Sequence, residues 1–227
     1  AEFLNKESSR DMAGKRALVT AGPTYEAIDP VRFIGNHSSG KMGVVVAREL
    51  LQCGADVTLV LGPVPGTLEL DGLHVIKVQS AGEMYDACHS VFAETDITVM
   101  AAAVADYTPV AVAPGKIKKK EENWSVALKK TPDILKSLGQ KKTGKQVLAG
   151  FALETSHERE NALAKLQQKN ADIIVLNSLR DSGAGFGTDT NKITVFDRNG
   201  AEKSFGLKSK AAVAKDIVDH IIEYIHA

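Results

Sequence analysis

Six short apolar runs separated by helical patterns constrain this chain more than anything else in it. They lie at 16–21, 56–61, 74–78, 97–102, 146–151 and 172–176, and they carry no strict polar alternation. Runs of that kind suit strands buried on both faces of a parallel sheet. The segments 42–53, 82–93, 133–138 and 158–169 instead place apolar residues at helical spacing. A last helix over about 209–226 repeats Val213, Ile217, Ile221 and Ile225 at i+4, a full buried stripe. Strand and helix alternate, which predicts an α/β fold: a Rossmann-like, doubly wound, mainly parallel sheet. Two stretches break the rhythm. Residues 117–128 turn strand-like, with Val126 and Leu128 on one face, and Ile193-Thr194-Val195-Phe196 runs into Asn199-Gly200, a hairpin turn signal. Two antiparallel excursions, an arm and a hairpin, are therefore expected.

Composition narrows the function classes. A chain of 227 residues fits one large α/β domain or two small ones. Its 28 basic and 28 acidic residues cancel, so no global field points to nucleic acid or an anionic membrane. No apolar run approaches a membrane span and no signal peptide is visible. Two cysteines, Cys53 and Cys88, sit in helical patterns without metal or redox spacing, which predicts inert thiols and a reduced, cytoplasmic setting. Residues 1–14 start without Met and are mostly polar. They read as a tag or linker remnant, with the folded domain at 15–227.

The densest cluster of chemistry-bearing residues is Asn36-His37-Ser38-Ser39-Gly40-Lys41-Met42-Gly43, which opens into the helix at 42–53. Small polar residues at a helix N-terminus offer free backbone N–H groups and the positive end of a dipole to an anion. With Gly35 the string reads G-x-x-x-x-G-K, but Met42 stands where a P-loop needs Ser or Thr. Spacing alone leaves two readings open, an anion-binding loop of another kind or an ordinary Gly-rich connector.

Ligands in open α/β sheets lie beyond the carboxyl ends of the strands. Ala21-Gly22-Pro23-Thr24 follows the first run and lacks the G-x-G-x-x-G of a dinucleotide site. Ala101-Ala102-Ala103-Val104-Ala105-Asp106-Tyr107 follows the fourth. Its alanines either let a flat ring approach the backbone beside the Asp106 carboxylate, or serve tight packing beneath a solvated Asp. Lys165 and Lys169, at i and i+4, are either a solvated pair or the cations of a polyphosphate site. The basic run 116–120, answered by Glu121-Glu122, reads as a solvated loop or strand edge. Nothing argues for a Ser-His-Asp triad, a zinc site or paired glycosidase carboxylates.

Taken together, these segments resemble the bacterial phosphopantothenoylcysteine synthetases. The likeness is carried by Thr20-Ala21-Gly22-Pro23-Thr24, Asp29-Pro30-Val31-Arg32-Phe33-Ile34, the loop 36–43, the stretch 102–107, Lys116-Ile117-Lys118-Lys119, Thr131-Pro132-Asp133-Ile134-Leu135 and Gly150-Phe151-Ala152. It runs in order from about residue 15 to the end. The resemblance implies a ligase of coenzyme A biosynthesis that joins 4′-phosphopantothenate to L-cysteine through an acyl-cytidylate, converting CTP to CMP and pyrophosphate. It implies Asn36 and Lys116 as catalytic residues. Met100, Ala101, Ala102, Asp106, Lys116, Pro132, Asp133, Ile134, Leu135, Phe151, Lys165 and Lys169 would bind CTP. Asn36, His37, Ser38, Ser39, Gly40 and Lys41 would form the substrate or phosphate loop. Mg²⁺ is implied as cofactor, with Asp106 near it through the nucleotide phosphates.

A homodimer is implied too, with 108–130 and 190–206 as arm and flap in either order, and in many bacteria a flavin-dependent decarboxylase domain precedes this one. Gly35 and Leu153 depart from the family pattern without a role attached. The competing class is a nucleotide-binding redox or flavin domain, or a non-catalytic nucleotide sensor. The missing G-x-G-x-x-G and the absence of a Tyr-x-x-x-Lys pair argue against the redox domain, and a sensor would leave Asn36 and Lys116 without a task.

Overall fold

The computed structural model describes residues 11–118, 122–154, 156–178 and 188–227. In chain order come β1 (Arg16–Ala21), the short strands β2 (Tyr25–Ala27) and β3 (Phe33–Gly35), α1 (Lys41–Gln52), β4 (Asp56–Leu61), β5 (His74–Lys77) and α2 (Ala81–Phe92). Next are β6 (Ile97–Met100), β7 (Tyr107–Pro109), β8 (Leu128–Lys130), α3 (Ile134–Lys141), β9 (Val147–Glu154) and α4 (Glu158–Gln168). Then follow β10 (Ile173–Ser178), β11 (Thr190–Asp197), β12 (Glu202–Ser209) and α5 (Lys210–His226).

Eight strands form one sheet in the order β12-β11-β10-β9-β6-β1-β4-β5. The six from β5 to β10 pair in parallel, as their unalternating apolar sequences require. Side-chain parity then sorts the core into two faces. Val19, Leu59, Val99, Ala149 and Val175 point toward α1 and α5, while Leu18, Val60 and Leu148 point toward α2 and α3. Ala152 and Ile174, on that second face, pack against α4 through Ala162 and Leu166. The sheet is doubly wound. In α5, Val213, Ile217 and Ile221 are fully buried, each contributing on the order of 1.5–3 kcal/mol.

Three details differ from the sequence expectation. The Asn199-Gly200 hairpin forms, with Gly200 at φ 92°, but it is no separate excursion: β11 pairs antiparallel with β10 and extends the main sheet. The arm does leave the sheet, yet its strands are β7 and β8, paired from Tyr107↔Lys130 to Pro109↔Leu128. Residues 119–121 of the expected 117–128 strand lie outside the described set, as do residues 1–10 of the remnant at 1–14. Met12 belongs to the packed unit rather than to a tail, being 2 % exposed and donating its N–H to the Cys53 carbonyl at 3.0 Å. Both thiols are buried, and burial alone pushes Cys88 up to about 12, which keeps it an inert thiol.

Candidate functional site

From β1 the chain first builds outward through β4 and β5, then returns to lay β6 on the other side of β1. The carboxyl ends of β1 and β6 therefore diverge into a crevice, the topological switch point where doubly wound sheets bind ligands. Two adjoining cavities open there, of about 570 and 340 Å³. They share Ala102, Val104, Asp106, Phe151 and Lys165.

The stretch after β6 forms the wall between them, held by hydrogen bonds from three directions. Thr20 Oγ1 accepts from the Ala102 N–H at 3.2 Å and Thr24 Oγ1 from the Ala105 N–H at 3.0 Å. Thr131 Oγ1 donates to the Ala105 carbonyl at 2.6 Å. Asn36 completes the set: its Nδ2 donates to the carbonyls of Ala103 at 3.1 Å and Val104 at 3.0 Å. Two carbonyl acceptors fix which end of the amide is nitrogen. The Asn36 donors are thus engaged by backbone. Asn36 lines the second cavity, and Oδ1 is its remaining polar atom, an acceptor.

Asn36 leads into α1, whose N-cap Gly40 sits at φ 72°, a left-handed conformation that glycine adopts without strain. No side chain caps this end and no acid lies in its first turn, so its leading N–H groups face the second cavity. Close packing holds the helix there: a Cβ on Gly43 would lie 2.6 Å from the Ala21 Cβ. Ser38, Ser39, Gly40 and Lys41 all line this cavity, whereas His37 is exposed and lines neither.

The first cavity gathers Met100, Ala102, Asp106, Pro132, Asp133, Ile134, Leu135, Phe151, Lys165 and Lys169 from β6, the β8–α3 turn, β9 and α4. Ala101 faces the second cavity instead. Lys165 Nζ donates to the Phe151 carbonyl at 2.8 Å. Burial pushes its pKa below the ordinary lysine range and Lys169 adds to that, against the opposing charges of Glu154, Asp133 and Asp106. Lys169 is not an uncompensated cation, because Asp133, the N-cap of α3, meets its ammonium at 2.5 Å. Burial alone would raise the Asp133 carboxyl, but the Lys169 bond and the Lys136 N–H outweigh it and hold it low.

Like His37, Lys116 is not brought in by the fold. It is exposed and lines neither cavity, because its loop lies back against the β2–β3 turn, with the Ala113 N–H bonded to the Ile28 carbonyl at 3.0 Å. Other residues line the cavities without having been given a role from sequence: Lys130 and Thr131 in the first, and Asn177, Asn191, Lys210 and Leu153 in the second. Asn177 Oδ1 is a buried acceptor lacking a hydrogen-bond partner. Lys210, 7 % exposed, has its pKa lowered by burial and by the nearby Lys41, with Asp189 opposing. Polar residues ending or starting apolar elements were the available signal: Asn177 late in a buried strand, Lys210 at the head of the last helix. Among the described residues, no group of three or more His, Cys, Asp or Glu could hold a metal. Among the same residues, no helix is long and apolar enough to cross a membrane.

Comparison with known proteins locates the chain. Residues 12–225 match the family described as the DNA/pantothenate metabolism flavoprotein C-terminal domain. A protein named cysteine/cysteine sulfinic acid decarboxylase, from an unknown prokaryotic organism, is 48 % identical over 99 % of this chain and 63 % of its own length. The coenzyme A biosynthesis bifunctional protein CoaBC of Bacillus subtilis (strain 168) is 45 % identical, over 95 % of this chain and 53 % of that protein. The chain therefore spans only about half to two thirds of these relatives. Among solved structures, the crystal structure of the C-terminal domain of a CoaBC protein superimposes with TM-score 0.82 at 38 % identity, covering 96 % of this chain and 99 % of that one.

Proposed function

The chain belongs to the DNA/pantothenate metabolism flavoprotein C-terminal domain family, and from that premise we propose that it is a phosphopantothenate–cysteine ligase of coenzyme A biosynthesis. The observation that carries the reading is the pair of cavities joined at Asp106 and Lys165, with Asn36 beside the seam. Such a pair suits a reaction in which two anionic substrates meet. A carboxylate activates poorly because oxide is a poor leaving group. The 4′-phosphopantothenate carboxylate therefore attacks the α-phosphorus of CTP, a P–O bond forms and pyrophosphate leaves with its bridging electrons. The cysteine amine then attacks the acyl carbon, loses a proton, and CMP departs.

In this reading the first cavity holds the cytidine, its base against Met100, Ala102 and Phe151 and its pyrimidine edge read by backbone groups. Lys165 supplies positive charge toward the phosphates, and Lys169, oriented by Asp133, adds to it. The open end of α1 and the side chains of Ser38, Ser39 and Lys41 hold phosphoryl oxygens. Asn36 has a narrower role than an amide with both groups available. Its Oδ1 accepts an N–H from the incoming amine and aims its lone pair at the acyl carbon. Asp106 at the seam fits Mg²⁺, which is commonly held by one or two carboxylates plus substrate phosphates rather than by a protein cage, and the metal would neutralise triphosphate charge.

Val31, Phe33, Val110, Val112, Trp124 and Leu128 expose apolar surface on the β2–β3 loop and the β7–β8 arm, which supports a homodimer paired through 108–130. In the wider reading the full-length protein also carries a flavin-dependent decarboxylase half, and works in the cytoplasm.

The test is release of pyrophosphate with 4′-phosphopantothenate and CTP, with and without cysteine. Release without cysteine, CMP only with it, and strong preference for CTP over ATP are expected, because unmatched buried polar groups cost several kcal/mol. Equal turnover with ATP sinks the nucleotide assignment. A second reading rests on the decarboxylase name of one relative. Carbon dioxide released from cysteine or cysteine sulfinate without CTP would favour it.

A further inference from the structure

The arm meets the first cavity at Thr131. Strand β7 begins immediately after Asp106 and β8 ends immediately before Thr131, and the two strands pair up to Tyr107↔Lys130. The next rung of that ladder is the Thr131 N–H, which donates to the Asp106 carbonyl at 3.0 Å. The side chain of Thr131 reaches one residue further, and its Oγ1 donates to the Ala105 carbonyl at 2.6 Å, across 26 residues of sequence. The Ala105 N–H is held as well, by Oγ1 of the fully buried Thr24 at 3.0 Å. Both peptides that flank Asp106 are therefore tied to Thr131. Thr131 lines the first cavity, and Asp106 lines both.

We infer that Thr131 is a positioning residue for the proposed ligase reaction: its N–H and its hydroxyl together set the direction in which Asp106 leaves the backbone at the seam of the two cavities. The inference rests on the ligase reading, in which the Asp106 carboxylate serves the nucleotide phosphates and their Mg²⁺. Peptide groups are planar, so a residue whose two flanking peptides are both held keeps little freedom in φ and ψ. The direction of its Cα–Cβ bond is set with them, and only the side-chain torsions of Asp106 stay adjustable. Such a hold counts most for a residue like Asp106, which is exposed and lies outside every described strand and helix. The arm by itself explains the bond from the Thr131 N–H, because ladder bonds use backbone groups alone. The hydroxyl bond to Ala105 lies outside that need. A small misplacement at a reacting centre is costly, on the order of 10²-fold per ångström.

The experiment compares Thr131→Ala with Thr131→Ser, two variants that differ only by the hydroxyl, and adds Asp106→Ala and its combination with Thr131→Ala. Each full protein is measured for pyrophosphate release across a Mg²⁺ series and checked by thermal unfolding. In Thr131→Ala release should slow about tenfold and need more Mg²⁺ to reach half its maximum, while Thr131→Ser recovers most of the rate. The double variant should be no slower than Asp106→Ala alone, since nothing remains to be positioned. Losses that multiply in the double variant, or equal rates in the Ala and Ser variants, would overturn the positioning role. Hydrogen exchange at the Ala105 amide reads the hold without reference to turnover. Faster exchange there in Thr131→Ala, restored in Thr131→Ser, is expected, and unchanged exchange refutes the hold. Thr131→Val, which puts a methyl group in place of the hydroxyl, stands in for Thr131→Ala should that variant not fold, with the same slowing expected. A wild-type protein that releases no pyrophosphate overturns the ligase reading and the positioning role with it. Normal wild-type release beside an unaffected Thr131→Ala overturns the positioning role alone.

Discussion

The two ends of the parallel sheet use the same kinds of residue to opposite effect. At the amino ends, polar side chains are paired within the protein. Asp172, on the turn before β10, accepts the Leu148 N–H at 2.8 Å and pairs with the buried ammonium of Lys142. Asp96 takes the Arg16 N–H at 2.8 Å, and Gln146 donates to the carbonyls of Phe92 and Thr95. At the carboxyl ends the polar groups stay open: Asn36, Asn177 with its buried and unpartnered Oδ1, and the first turn of α1 all line the second cavity. Closed polar clusters join elements to one another. Open ones hold reserve bonding capacity for a ligand, and the unpartnered Asn177 Oδ1 lies at the carboxyl ends.

If that contrast is right, damage at the two ends must differ in kind. The largest effect is expected from Asp172→Ala, which strands the buried Lys142 charge and should cost about 3–5 kcal/mol of stability. Chemical denaturation measures it, and the rate per folded molecule should stay near wild type. A specific loss of activity at full stability would erase the distinction between the ends. Next in size is Asn36→Ala, expected to slow phosphopantothenoylcysteine formation on the order of 10²-fold while unfolding shifts little. Single-turnover pyrophosphate release should survive, leaving acyl-cytidylate visible by mass spectrometry. Asn36→Asp is the harsher change, because its carboxylate would face the Ala103 and Val104 carbonyls.

The smallest expected effect sharpens the comparison through pH. Burial lowers the Lys165 pKa, so the free protein disfavours its ammonium form and stability rises as pH climbs through that lowered value. A bound triphosphate favours the ammonium. Nucleotide affinity should therefore fall as pH rises through the same range, below where an ordinary lysine titrates. Isothermal titration across that range checks it, and Lys165→Met should bind nucleotide more weakly with a flatter pH profile. A profile identical in both proteins would remove Lys165 from the site.

Much of the frame was legible from apolar spacing, because long elements buried on both sides leave strong patterns. The bounds 16–21 and 56–61 match β1 and β4, and the i+4 stripe of α5 is buried at Val213, Ile217 and Ile221 but only partly at Ile225. Three-residue strands such as β2, β3 and β7 leave no period to read. Their pairing comes from tertiary contacts, including the stacked rings of Tyr25 and Phe33. The site was legible where residues cluster in sequence, as at 36–43 and 131–135. It was illegible where side chains converge from afar. Neither Asp29 nor Lys210 carries a local signal of its burial, and the Asp133–Lys169 pair spans 36 residues that carry no joint signal. Nor could spacing tell that backbone carbonyls would engage the Asn36 donors.

The contact of α1 with α5 has a consequence for the order of assembly. Helix α1 leaves the ribosome well before α5, yet they share one face of the sheet. Lys41 and Lys210, at the heads of these two helices, line one cavity. Each parallel strand pair also needs its crossover made before it can close, and such long-range pairing is slow. Ligand affinity at the second cavity is therefore a property of the finished chain. A nascent fragment ending before residue 209 has the loop but lacks Lys210 and the helix that packs against α1, and an anion should protect such a fragment from proteolysis less than it protects the whole.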